Sequence, residues 1–167
     1  MHFIDLGSGL HINLGLYLIL IDELSINKKQ EPILSIERAT IYAFLLKNPL
    51  ALANVLLSLN KKVPIDIKEY EIGNIATTYP NKARYYRLKE TKSMIQLLHA
   101  FGMVEIAPDV ITRMPSIVVT EKGRDLSKGF KSDYFVRIRE ISEAVKMLHS
   151  VSIPAIRSSL NQVLDEN

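Results

Sequence analysis

The sequence contains no cysteine. That excludes disulfide scaffolds, thiol nucleophiles and Cys-ligated zinc or iron–sulfur sites, and it fits a reducing cytoplasm. Tryptophan is also absent and glycines number only 7, which argues against propeller blades and glycine-rich nucleotide loops. The first 27 residues hold the acids Asp5, Asp22 and Glu23 and no lysine or arginine, so the basic n-region of a secretory signal is missing. The longest apolar run, Ile12 to Ile21, is ten residues long and includes Asn13. A membrane span needs about 20 apolar residues. These features predict a soluble cytoplasmic protein with no membrane segment.

What is present is ordinary globular material. The chain has 167 residues, 47% of them hydrophobic and 23% charged, enough apolar surface to bury a core. The length fits a single domain over residues 1–167, read as an N-terminal helix region (1–27), a central core (33–130) and C-terminal helices (131–167). There are 21 basic and 18 acidic residues. The excess sits in the middle, where residues 28–119 hold thirteen bases against eight acids.

Apolar periodicity places a first helix over residues 10–23, with Leu14, Tyr17, Leu18 and Ile21 as its stripe and Leu16 and Leu20 widening it. Gly7-Ser8-Gly9 reads as a flexible entry to that helix. It lacks the third glycine of a dinucleotide fingerprint and the Lys-Ser/Thr of a phosphate loop. Ser35 is a good N-cap for a helix to about Lys47. Asn48-Pro49 predicts a cap followed by proline at the first helical position, opening a helix through Leu59. A short helix is expected from Lys68 to Ile75. Leu88–Phe101 reads as a helix with Leu88, Ile95, Leu98 and Phe101 on its inner side and Lys89, Lys92, Ser93 and Gln96 on the other. Gly102 stands where a helix ends in a left-handed residue. Strands are expected at 103–107 and 116–120, then a helix capped by Thr120, then helices over 133–150 and 154–164. Helix, helix, helix, strand, turn, strand is the order of a winged helix-turn-helix. The expected fold is therefore mostly α: three helices plus a two-stranded β wing, with additional N- and C-terminal helices.

No catalytic constellation is evident. His2, His11, His99 and His149 have no metal-ligand spacing among themselves or with carboxylates. Glu69 and Glu71 flank Tyr70, but residues two apart on a helix point in different directions. The expectation is a non-enzyme, with no catalytic residue, cofactor or metal.

One constellation carries binding chemistry. Lys82, Arg84, Arg87, Lys89 and Lys92 lie within eleven residues, against the single acid Glu90, and Tyr79, Tyr85 and Tyr86 interleave. Cations at this density neutralise phosphates and release counterions. They fall at the entrance to the helix that a winged helix presents to DNA. Arg113, near the wing tip, could reach a neighbouring groove. No Asn or Arg–Gln reading pair accompanies them, so contact with the backbone of double-stranded DNA is expected rather than sequence readout. The alternative is a solvated charged face with the tyrosines packed on the core. The N-terminal helix is apolar around much of its circumference, and Leu14, Leu16, Leu18 and Leu20 are expected to form a partner interface; the alternative is a core helix that adds a layer to the chain's own fold.

Four stretches resemble a known family. They are Asn13-Leu-Gly-Leu-Tyr-Leu-Ile-Leu-Ile-Asp-Glu-Leu24, Pro32-Ile-Leu-Ser-Ile-Glu-Arg38 into a helix ending Lys47-Asn-Pro49, Glu69-Tyr-Glu71, and the Leu88–Ile106 unit with Val119-Thr-Glu-Lys-Gly123. Together they resemble the small middle component of three-component bacterial ABC-ATPase defence systems, the Lamassu-like group. The resemblance covers residues 10–150 and rests on helix and wing patterns. It implies partnership with a large SMC/Rad50-like ATPase and an effector subunit in anti-phage defence. It brings no catalytic residue. The reading is a non-catalytic winged-helix accessory subunit that bridges partners and contacts DNA backbone. The alternative is a homodimeric winged-helix transcription regulator, whose terminal helices would dimerise.

Overall fold

The structure, a computed structural model, describes residues 3–72, 87–108 and 114–165. Its centre is α1 (Phe3–Leu24). Leu16, Leu18 and Leu20 are 0%, 1% and 0% exposed, because α1 is surrounded. It packs against α2 (Ile36–Lys47), α5 (Leu88–Ala100), strand β2 (Ser116–Val119), α6 (Glu121–Lys128) and α7 (Asp133–Val145). Gly15 allows a close approach to α7, since a Cβ there would lie 2.6 Å from the Phe135 ring. The expected partner interface is corrected accordingly. Leu16, Leu18 and Leu20 are core residues of this chain, and Leu14 is half-buried against the same core. The helix also begins earlier than its periodicity suggests. Gly7-Ser8-Gly9 lies inside it rather than forming a flexible entry.

The middle of the chain follows its caps. Ser35 accepts the Arg38 N–H at 3.1 Å and starts α2. Pro49 opens α3 (Pro49–Ser58) at the first helical position. Asn48 does not cap α3 with its side chain; its Nδ2 instead donates to the Phe44 carbonyl at 2.8 Å, closing α2. A one-turn helix, α4 (Glu69–Ile72), follows an extended linker. In α5 the buried residues are Thr91, Met94, Ile95 and Leu98, the i, i+3, i+4, i+7 set. Leu88 and Phe101, expected on that inner side, sit at the helix ends and are exposed.

After α5 the chain turns at Gly102, whose φ of +74° is left-handed as expected. Strand β1 (Val104–Ala107) then pairs antiparallel with β2, Val104 opposite Val119 and Ala107 opposite Ser116. The outer edge of β2 is tied down by the Ile117 N–H, which donates to the Leu34 carbonyl at 2.9 Å. Thr120 N-caps α6 by accepting the Gly123 N–H at 3.0 Å, and its hydroxyl donates to the Gly102 carbonyl at 2.7 Å. Lys122 reaches back to the Phe101 carbonyl. Gly123 has no alternative there, because a Cβ would fall almost on the Met103 carbonyl oxygen. The Thr-Glu-Lys-Gly sequence is thus a joint that clamps the start of α6 to the end of α5.

At the C-terminus α7 ends at Val145 and continues as a 3₁₀ turn, Lys146–Leu148, so the helix expected to reach Ser150 stops five residues short. Arg38 of α2 caps that end: its guanidinium donates to the Leu148 and Val151 carbonyls at 3.3 and 3.1 Å. The last helix, α8 (Ile153–Asp165), lies against α3, where the Ser58 and Ser159 hydroxyls hydrogen-bond. Among the described residues no single helix is long and apolar enough to cross a membrane.

Candidate nucleic-acid and partner interface

Asp22 and Glu23, at the end of α1, do not remain as surface charge. Arg139 of α7 donates to Glu23 Oε1 at 2.6 Å and lies 3.8 Å from Asp22. Arg124 of α6 approaches Asp22 at 3.5 Å, and Lys146 approaches Glu23 at 3.4 Å. Arg139 also bonds the Ser127 carbonyl and hydroxyl. Asp22 and Glu23 are therefore neutralised by cations of α6 and α7 and of the turn that follows α7.

A second internal clamp holds the Glu69-Tyr-Glu71 segment. Arg137 of α7 grips Glu71 through two hydrogen bonds of 2.8 Å, reaches the Asp66 carbonyl at 2.7 Å, and pairs with Glu140. Glu71 also accepts the Lys68 N–H at 2.9 Å. Burial pushes the Glu71 carboxyl up, but its bonds to Arg137 and the Lys68 amide outweigh that and hold it below the usual carboxylate range. Glu69, two residues earlier, is exposed, as the spacing predicts.

The basic cluster behaves differently. Lys82, Arg84 and Arg113, with Tyr79, Tyr85 and Tyr86, lie outside the described residues. Arg87, Lys89 and Lys92 are all exposed, and Lys89, Lys92, Ser93 and Gln96 stand on the outer side of α5. Arg87 precedes the helix and meets Glu90 at 3.8 Å. Glu90 in turn accepts from Asn13 Nδ2 at 2.6 Å and lies 4.0 Å from Lys47. Burial lowers the Lys47 ammonium; Glu90 opposes that shift and Arg87 adds to it. Beneath the cluster, Tyr17 and Thr91 share a 3.0 Å hydroxyl hydrogen bond. α5 is thus fastened to α1 and α2 along its inner side, while its cations project outward from its first half. Cations at a helix N-terminus oppose the helix dipole, so they do not stabilise α5 itself.

A model of the ABC-three component (ABC-3C) system Middle Component 4 family matches residues 24–158. The chain belongs to that family. A middle component is an accessory part of its system rather than the ATPase, which agrees with the accessory role that the resemblance implied. Comparison with curated proteins and with solved structures found no match. The matched span begins at Leu24, so it takes in α2 to the start of α8 and both internal clamps on the α7 side.

The sequence reading missed Arg137, Arg139 and Arg38 as structural keys, and it did not foresee Asn13 and Lys47 as supports of Glu90. Only Glu71 had a local signal, its reach back to the amide three residues earlier. Its pairing with Arg137 spans 66 positions and leaves no mark in local spacing. Among the described residues no group of three or more His, Asp or Glu side chains is placed to hold a metal ion.

Proposed function

We propose that this middle component is a non-catalytic, winged-helix-like accessory subunit, cytoplasmic like its partners, that holds double-stranded DNA beside the ABC ATPase. In this reading α2, α3 and α5 with β1 and β2 form the winged unit. The outer side of α5 lies along the phosphate backbone, with Arg87 and Lys89 as its described cations and Lys82, Arg84 and Arg113 as further contacts. The ATPase would be SMC/Rad50-like and a third subunit the effector, as in Lamassu-like defence systems. The observation that carries the reading is the exposure of Arg87 and Lys89 at the start of a helix whose opposite side is fixed in the core. Such a helix can present charge to phosphates without rearrangement.

The regulator alternative has less support, because the terminal helices it would use for dimerisation are occupied in the chain's own core. The test is co-expression with the other two components of the system. The complex should form, and it should bind unrelated duplexes with similar affinity at low salt. A stable homodimer that ignores the ATPase and selects one palindromic site would overturn the proposal in favour of a regulator.

A further inference from the structure

A groove of about 480 Å3 opens between the start of α2, the first turns of α5 and the residues leading into β2. Its apolar walls include Ile41 of α2, Leu88 of α5 and Met114 before β2. Leu88 and Met114 are 40% and 52% exposed. Its rim carries Lys92 and, from α8, Arg157, which is ion-paired with Glu37. Among the described residues the rim is therefore net positive, and Lys92 is exposed on it.

Single apolar side chains on a surface need no explanation, but several that converge on one concavity do. A small molecule is a poor occupant, since such sites enclose most of their ligand and two of these walls face solvent. A nucleic acid backbone has no aliphatic anchor to bury here. A protein segment does, and anchors seated in preformed pockets dominate protein interfaces. The positive rim then selects the neighbours of the anchor. We propose that the groove receives an amphipathic segment of another component of the system, one that seats a large apolar anchor between Leu88 and Met114 and carries Asp or Glu beside it to meet Lys92. This rests on the accessory-subunit reading above. It also divides the labour on α5: Lys92 faces a protein partner, while Lys89 projects away from the core.

The test uses the co-expressed three-component complex. With p-benzoylphenylalanine placed at position 114, irradiation should link this chain to an apolar segment of another component that holds Asp or Glu within a few residues. Leu88→Asp should weaken assembly at least tenfold, and Lys92→Glu should weaken it several-fold with thermal melting unchanged. Introducing lysine at the partner's acidic position should rescue Lys92→Glu, which a purely structural defect would not allow. A cross-link confined to this chain or to a second copy of it, a cross-link to a segment without acids, or assembly unaffected by Lys92→Glu would overturn the proposal. A wild-type chain that fails to assemble at all would instead overturn the accessory-subunit reading, and this proposal with it. A complex that assembles through the groove but ignores DNA would remove only the nucleic-acid contact.

Discussion

α1 is apolar around much of its circumference and α5 along one side only, and the structure uses them in opposite ways. α1 is enclosed by α2, α5, β2, α6 and α7, and its acids Asp22 and Glu23 are taken up by Arg124, Arg139 and Lys146. α5 fixes one side in the core through Thr91, Met94, Ile95 and Leu98, and leaves cations and the groove wall Leu88 outside. An apolar circumference broad enough to suggest a partner interface can equally mark the central helix of a core. Interaction surfaces on this chain are better sought where charge stays unabsorbed and apolar side chains line a concavity.

The harshest test of that contrast is Leu16→Asp or Leu20→Asp. Each buries an unpaired carboxylate, and each should cost more than about 4 kcal/mol and abolish cooperative folding. Lys89→Glu on the outer side of α5 should shift stability by no more than about 0.5 kcal/mol. Chemical denaturation of the three variants checks both statements. Equal, small effects would return α1 to the surface.

The internal charges come next. Arg137→Ala leaves Glu71 buried without its partner and should destabilise by about 3 kcal/mol. The deficit should shrink at low pH. Glu71 is held below its ordinary range, so the pair's contribution is complete above about pH 4.5 and is lost as pH falls through the depressed value. A denaturation series from pH 7 to pH 3 reads this directly.

Most of the helices were legible in the sequence because their caps are local. Ser35, Pro49, Gly102 and Thr120 all act where their spacing predicts. The switch from helix to strand across Gly102 was visible for the same reason. The side of α1 that meets a neighbour was not, since that depends on α7, more than a hundred residues away. Nor were the clamps at Arg137 and Arg139, whose partners Glu71 and Glu23 lie 66 and 116 positions away. Of the candidate site, the exposure of Arg87, Lys89 and Lys92 followed from the pattern of α5. The groove did not, because it is built from three elements that only the fold brings together.

The joint after α5 gives a smaller effect. Gly123→Ala should cost about 2–3 kcal/mol by pushing on the Met103 carbonyl, and Gly102→Val about 1–2 kcal/mol through its left-handed backbone. If the joint also sets the pitch of α5, both variants should weaken DNA binding by the complex in proportion to their loss of stability.

A smaller, pH-dependent effect belongs to His149, at the end of the 3₁₀ turn, stacked on Tyr42. Burial, with Arg38 and Lys146 nearby, pushes its imidazole down to about 4. The ring is therefore neutral in the folded chain, while the unfolded chain takes up a proton near pH 6.5. Stability should be constant above that value and fall by about 1 kcal/mol towards pH 5, a modest figure because the ring is only partly shielded from solvent. His149→Gln should flatten this window without altering the loss at lower pH that comes from Glu71.

The most direct measurement of the central claim is a salt titration of duplex DNA binding by the assembled complex. Each phosphate neutralised contributes about 0.9 to the slope of log K against log salt. If the cations at and before α5 meet the backbone, replacing Arg84, Arg87 and Lys89 together by alanine should flatten that slope by up to about 2.7, equally on unrelated sequences. An unchanged slope, or a complex that binds no duplex even at low salt, would contradict the account.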